Sequence, residues 1–307
     1  MNRRMPIAAA ILIACLARGP AAAFAQSSHL LIVVGLAGDP EHGELFDKWA
    51  KTLAATAADR LHVPKDQIQT LSGDGATKAE VARALTALQS AGPDDTVMIV
   101  LFGHGTFDGS TAKFNLPGPD MTPRDFAPLL AKLQSKRVVL VNTASASGPF
   151  VDALSAPGRV IVAATSNGAE KYATLFGGPF VDAFSNDAAD ANRDGTVTIL
   201  EAFEFAKQQV EASFQREGIM QTEHARIDDT SRAALVSLGA GQGRAFPADP
   251  KLRALYVERQ QLEQRIESLK LLKSGMDPGK YAAELERLAT ELAEKSRQIR
   301  EAEGKGK

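Results

Sequence analysis

Cysteine is nearly absent from this chain. Cys15 is the single cysteine among 307 residues, which excludes an internal disulfide framework, a structural zinc site built on several cysteines and an iron–sulfur cluster. The chain also lacks a large excess of either charge, because its 35 Lys and Arg residues nearly balance its 37 Asp and Glu residues. Dedicated nucleic-acid-binding domains are usually strongly basic, so we expect no nucleic-acid partner.

Long apolar runs are also missing. No segment reaches the roughly 20 apolar residues of a membrane helix, and we predict no transmembrane helix. Residues 1–25 instead predict a secretory signal peptide: Arg3 and Arg4 give a positive start, residues 8–17 are apolar, and a small-x-small cleavage site ends at Ala25. The alternative is a lipoprotein anchored through Cys15 at the end of a lipobox. The signal predicts a periplasmic or secreted protein.

The rest of the chain changes character along its length. Residues 26–234 alternate apolar strand-like runs with helical periods, which is typical of an α/β domain with a mostly parallel sheet and helices on both faces. Residues 235–250 hold the glycines and prolines of a linker. Residues 251–303 carry leucine heptads that predict a helical hairpin or coiled coil and self-association, and we expect residues 304–307 to form a disordered tail.

Two strand ends of the predicted sheet carry polar residues. The predicted strands are His29–Val34, Ile68–Leu71, Thr96–Phe102, Arg137–Asn142 and Arg159–Ala163. Ligands of open α/β sheets bind beyond the carboxyl ends of the strands. His104 lies between two glycines after the third strand, and Ser145 lies in a small-residue loop after the fourth. A base beside a hydroxyl suits acyl transfer, although both segments could also be plain tight turns.

These two strand ends resemble the caspase/legumain-type cysteine peptidases. In that family a histidine after the third strand and a cysteine after the fourth form the catalytic dyad, with the cysteine in an Ala-Cys-x-Ser-Gly stretch. Residues 144–148 here read Ala-Ser-Ala-Ser-Gly, so Ser145 stands where the family has its cysteine. The resemblance covers residues 29–229 and implies a caspase-like α/β fold.

Loss of the thiol changes the function that the resemblance implies. Cysteine-peptidase activity is excluded, because no other cysteine follows the signal peptide. We favour a degenerate peptidase homologue that binds a protein or peptide partner in the cell envelope. The alternatives are a purely structural module and a hydrolase in which Ser145 attacks, His104 is the general base and the Gly105 amide stabilises the oxyanion.

Acidic and amide side chains alternate through residues 190–201. These residues follow the order Asp-x-Asn-x-Asp-Gly-x5-Glu, which matches the pattern of a calcium loop. In such a loop the glycine allows the sharp turn, and the last glutamate gives two oxygens to the ion. The predicted calcium ligands are Asp190, Asn192, Asp194, Thr196, Thr198 and Glu201. The alternative is that Thr198 and Glu201 only cap a helix over residues 199–214.

No nucleotide or redox cofactor is predicted. Gly239, Gly241 and Gly243 are spaced like part of a phosphate-binding loop, but they lack the preceding strand and following helix that a dinucleotide motif requires. His42 lies beside Asp39 and could join an acidic site, yet we expect it in a solvated loop after the first strand.

Overall fold

The computed structural model describes residues 27–239, residues 276–304 and a scattered set of residues between 249 and 269. The predicted signal peptide, the lipobox with Cys15 and most of the predicted linker and tail lie outside the described residues. None of the helices in the described part of the chain combines the length and the apolar character needed to cross a membrane.

A six-stranded sheet forms the centre of the molecule. Its strands are β1 Ser28–Val34, β2 Ile68–Leu71, β3 Thr96–Phe102, β6 Arg137–Asn142, β7 Arg159–Ala163 and β8 Arg226–Ile227. Their order across the sheet is β2-β1-β3-β6-β7-β8. All neighbours pair in parallel except β8, which runs antiparallel to β7. The prediction of a mostly parallel sheet is confirmed. Four of the predicted strands have the observed bounds, and β1 begins one residue earlier.

Apolar side chains cover both faces of this sheet. Every residue of β3 is buried, and successive residues such as Val100 and Leu101 belong to two different hydrophobic cores. A strand that is covered on both faces needs apolar residues at consecutive positions. This explains why the inner strands read as unbroken runs of Val, Ile and Leu.

Helices form a layer on each face of the sheet. The helices of this α/β domain are α1 Pro40–Asp59, α2 Lys78–Ala87, α3 Pro123–Leu130, α4 Gly148–Leu154, α5 Gly177–Ala183, α6 Ile199–Glu217 and α7 Thr230–Ala233. Helix α8 Pro278–Gly304 belongs to the C-terminal helical region. Helices α1, α5 and α6 supply Trp49, Phe180 and Phe203 to one core. Helices α3 and α4 supply Phe126 and Phe150 to the other.

A hairpin follows His104 that the sequence patterns do not predict. Strands β4 Gly105–Phe107 and β5 Ala112–Phe114 pair antiparallel, and the Asp108 carboxylate accepts hydrogen bonds from the N–H groups of Ser110 and Thr111 in the turn. Each strand has three residues. Such short strands give no measurable alternation of apolar and polar residues.

The C-terminal helical region brings its leucines together. Leu262, Leu269 and Leu288 form a separate buried cluster, and Lys295 Nζ lies 2.5 Å from Glu258 Oε2. Helical residues described between 251 and 269 therefore lie alongside α8. Self-association through residues 251–303 stays a prediction.

The buried core extends into the first residues of the predicted linker. Val236 and Leu238 are 2% and 3% exposed. The Gly239 N–H donates to Ser28 Oγ over 3.0 Å, which ties this segment to the start of β1.

Close packing between α5 and α1 generates a stability prediction. A Cβ atom added at Gly177 would lie 2.6 Å from the buried ring of Trp49, whereas one added at Gly75 meets nothing within 4 Å. We expect Gly177→Ala to lower the free energy of unfolding by about 1–3 kcal/mol, because overpacking forces the surrounding core to shift. Urea unfolding of Gly177→Ala beside Gly75→Ala measures this difference. Equal stability of the two variants would contradict it.

Candidate active site

His104 follows β3 at the carboxyl edge of the sheet. Its N–H donates to the Leu36 carbonyl over 3.4 Å, and its own carbonyl accepts from the Asn115 N–H over 3.0 Å. Its ring packs against the rings of His42 and Phe46, with centroids 4.8 Å and 5.4 Å away. The imidazole therefore lies against the first turns of α1.

Burial disfavours the charged form of the His104 imidazole. Burial is the largest effect and lowers the pKa of His104, and the nearby His42 lowers it further. A hydrogen bond to the Ala37 backbone and the charge of Asp39 raise the pKa of His104, but they are smaller effects.

Ser145 is buried and bonded to the backbone of Gly105. The residue is 3% exposed. Its hydroxyl donates to the Gly105 carbonyl over 3.1 Å, and it accepts from the Gly105 N–H over 3.3 Å. The N–H predicted to stabilise an oxyanion is thus occupied by the Ser145 hydroxyl. In the described part of the chain no hydrogen bond joins Ser145 to His104.

Glycine at position 105 allows the two strand-end loops to touch. A Cβ atom there would lie 2.2 Å from the Ser145 carbonyl oxygen. Strands β3 and β6 are neighbours in the sheet, with Leu101 opposite Asn142. The fold therefore brings the two predicted dyad residues to adjacent loops, while their side chains contact different partners.

The residue after Ser145 has a strained backbone. Ala146 has φ 53, in the left-handed region that residues with a Cβ atom rarely adopt. Its N–H donates to the Glu170 carbonyl over 2.8 Å. This bond fastens the Ser145 loop to the loop that follows β7.

A second polar cluster joins the loop after β7 to the segment after α6. The Glu170 carboxylate accepts from the Ser166 hydroxyl over 2.6 Å and lies 3.0 Å from His224 Nδ1. Glu223, which is 3% exposed, accepts from the N–H groups of Leu175 and Phe176. These residues lie far apart in sequence, so no spacing pattern indicates that they meet.

The buried position of Glu223 changes its ionisation. Burial raises the pKa of Glu223 to about 7, against the opposing effect of its two backbone hydrogen bonds, and the charge of Glu170 raises it further.

His42 does not lie in the solvated loop that we expected. Helix α1 begins at Pro40, capped by Asp39, so His42 is in its first turn with a side chain that is 29% exposed. The apolar pattern of Leu45, Trp49 and Leu53 indicates a helix but leaves its first turn undefined. The earlier start places His42 against His104.

Residues 190–201 form a turn followed by a helix cap. The Thr198 hydroxyl accepts from the Glu201 N–H, and the Glu201 carboxylate accepts from the Thr198 N–H, so the capping box is present. Asp190 accepts from the N–H groups of Asp194 and Gly195 at 3.1 Å and 2.7 Å. Asn192 and Thr196 lie in the same turn.

The acidic side chains of this turn are partly shielded from water. Burial is the largest effect and raises the pKa values of both Asp194 and Glu201, while the charge of Arg259 lowers that of Asp194. Among the residues that the structure describes, no group of three or more His, Cys, Asp or Glu side chains is arranged to hold a metal ion. Calcium binding stays a prediction.

Comparison with known proteins places the chain in a family. A model of the peptidase C13 family matches residues 39–230, which is more than half of the chain. The chain belongs to the peptidase C13 family. Both His104 and Ser145 lie in the C13 match, and the predicted membership of the caspase/legumain-like group is confirmed.

A solved structure is also similar to this C13 chain. It is described as the crystal structure of drICE, with 11% sequence identity and a TM-score of 0.43 over 66% of this chain and 86% of that one. No curated protein matches the chain.

The ionisation of Glu223 generates a pH prediction. Its pKa in the folded protein, about 7, lies above the ordinary value of 4.5. Folding therefore favours the protonated form of the Glu223 carboxyl. The stability that this form contributes is complete below pH 4.5 and is lost as the pH rises through 7. We expect the wild type to lose up to about 2.5 kcal/mol more than Glu223→Gln between pH 5 and pH 8, because one pKa unit corresponds to about 1.4 kcal/mol.

Urea unfolding at both pH values measures this effect. The comparison uses the change with pH, because the glutamine amide also alters the contacts with Leu175 and Phe176. Glu44→Gln, on an exposed position of α1, is the matched control and keeps the wild-type pH dependence. An unchanged pH dependence in Glu223→Gln would contradict the prediction.

Proposed function

We propose that this chain is an exported, catalytically degenerate member of the peptidase C13 family that binds a protein or peptide partner in the cell envelope. The observation that supports this most strongly is the pairing of the Ser145 hydroxyl with the Gly105 backbone. A nucleophile and its general base normally lie within about 2.6–3.2 Å of each other. Here the base candidate, His104, instead contacts α1.

The chemistry of serine strengthens this argument. A cysteine can be held as a thiolate by a nearby histidine before substrate arrives, whereas a serine needs a base oriented to accept its proton during attack. Ser145 is also 3% exposed, so its oxygen has little access to a substrate carbonyl. The replacement of the thiol and the missing hydrogen bond between His104 and Ser145 therefore both disfavour catalysis.

Exposed apolar side chains at the same edge of the sheet support a binding role. Leu36 follows β1, and Tyr172 and Leu175 follow β7, with 46%, 74% and 42% of their surfaces exposed. Single exposed apolar residues are ordinary, but several at the edge where α/β folds bind ligands favour contact with a partner. We infer that a peptide or protein segment packs against these side chains.

A cleavage experiment separates the binding protein from the alternative Ser145/His104 hydrolase. The exported chain, His104→Ala and Ser145→Cys are each incubated with a diverse peptide mixture, and the products are read by mass spectrometry. We expect no cleavage by any of the three, because restoring a thiol at position 145 does not bring it to His104. Cleavage by the wild type that is lost in His104→Ala would overturn the proposal.

Thiol labelling provides the control for Ser145→Cys. The exported chain has no other cysteine after Cys15, so one introduced thiol is the sole target. We expect a maleimide to label Ser145→Cys far more slowly than Ser110→Cys, because Ser145 is buried and Ser110 lies in the exposed hairpin turn. Equal labelling rates would show an accessible position 145 and weaken the argument for degeneracy.

We also propose that residues 190–201 bind calcium outside the cytoplasm. The sequence pattern supports this, and so does the burial of Asp194 and Glu201, whose raised pKa values a bound cation would lower. We expect calorimetry at millimolar calcium to give heat that Asp190→Ala removes, with Asp74→Ala on an exposed loop as the control. Absence of heat in the wild type would leave only the capping box.

A further inference from the structure

We propose that His42 and His104 together bind a divalent transition-metal ion of the class that includes Zn²⁺, Cu²⁺ and Ni²⁺. Their ring centres lie 4.8 Å apart, with ring planes at 63° to each other. Imidazole nitrogen is a preferred ligand of these ions. The pair lies where the first turn of α1 meets the carboxyl end of β3.

Asp39 orients His42 and fixes which nitrogen carries the proton. Asp39 Oδ2 lies 2.8 Å from His42 Nδ1, and Asp39 Oδ1 accepts from the His42 N–H. The hydrogen bonds from His42 lower the pKa of Asp39, so the carboxylate is ionised and can only accept. Nδ1 therefore carries the proton of this hydrogen bond, and Nε2 is the His42 nitrogen left to bind a metal ion. A carboxylate behind a ligating histidine is the usual outer-shell arrangement.

The His104 ring is held beside His42 by packing. It lies in edge contact with the rings of both His42 and Phe46, and its backbone is bonded to Leu36 and Asn115. A metal ion displaces the proton from the imidazole nitrogen that it binds. Hydrogen bonds among the described residues leave Nε2 of His42 without a partner.

The spacing of the two rings suits a shared ion. Two imidazoles bound to one tetrahedral ion through bonds of about 2.0–2.1 Å have ring centres about 5 Å apart. The observed 4.8 Å is close to this value. The His42 side chain is 29% exposed, which gives an ion access from solvent.

The pair supplies two ligands rather than a complete set. In the described ranges no three His, Cys, Asp or Glu side chains surround a common point. Water or a donor from a bound partner would fill the remaining positions, as in metal sites that keep open coordination. The α1 N-terminus disfavours a cation, and the Asp39 carboxylate offsets that effect.

This inference does not depend on the proposed loss of catalysis. A metal ion on the His104 lone pair would prevent that nitrogen from accepting a proton, so metal binding and general-base catalysis exclude each other there. The test below measures metal binding directly, and its outcome is independent of the cleavage experiment.

Calorimetry with Zn²⁺ on the exported chain, purified without a histidine tag, tests the site. We expect one ion per chain and at least tenfold weaker binding in His42→Ala and in His104→Ala. His224→Ala is the matched control, because His224 pairs with Glu170 in a different cluster, and it keeps wild-type affinity. No zinc binding by the wild type, or unchanged binding in His42→Ala, would overturn the proposal.

Asp39→Asn separates a metal site from a simple ring contact. Asparagine keeps the helix cap, because Asn and Asp are equally good N-cap residues, but it removes the charge behind His42. Loss of an outer-shell partner commonly weakens metal binding by about 10–100-fold, and we expect a loss in that range. Unchanged zinc affinity in Asp39→Asn would contradict the assigned role of Asp39.

Copper spectroscopy counts the nitrogens without relying on the stability of a variant. Electron paramagnetic resonance of the wild type with one equivalent of Cu²⁺ is expected to show coupling to two imidazole nitrogens, and one in His42→Ala. A wild-type spectrum with oxygen ligands only, or with no loss of coupling in His42→Ala, would identify adventitious surface binding and overturn the proposal.

Discussion

The backbone contact between Gly105 and Ser145 sets the geometry of the whole candidate site. Parallel pairing of β3 with β6 brings their carboxyl ends together, and the absence of a side chain at position 105 lets the two loops meet. Once they touch, the Ser145 hydroxyl lies against both polar groups of Gly105 and satisfies them. The His104 ring, one residue earlier, is left to pack on α1.

This contact gives the serine a structural role. A buried N–H or carbonyl without a partner destabilises a fold by about 1–3 kcal/mol. A hydroxyl both donates and accepts, so one serine side chain satisfies two backbone groups. A thiol is a weaker donor and acceptor. Ser145 thus holds two loops together by pairing with both backbone groups of Gly105.

The strands of the sheet and their carboxyl ends can be predicted from the sequence, because each is marked by a pattern of neighbouring residues. Unbroken apolar runs identify four of the five parallel strands, and the rule that functional residues follow strand ends points to His104 and Ser145. These patterns depend on a few neighbouring residues. They also reach the level of the family, since the resemblance read from residues 144–148 agrees with the C13 family match over residues 39–230.

The polar contacts around the site could not be predicted, because they join residues that are distant in the chain. Glu170 meets His224 across 54 residues, and Glu223 meets Phe176 across 47. The contact between His42 and His104 depends on where α1 begins, and the cap at Asp39 sets that start more firmly than the apolar pattern does. Side-chain partners of this kind follow from the fold and leave no spacing in the sequence.

The order of the strands also bears on how fast the chain folds. Leu30 on β1 pairs with Met98 on β3, and every parallel pair in the sheet is likewise joined by a long crossover. Closing such loops precedes any gain from pairing, so folds rich in distant contacts reach the native state slowly. If the chain is exported as we propose, slow folding lengthens the time during which the polypeptide is still extended and able to be threaded through a narrow channel.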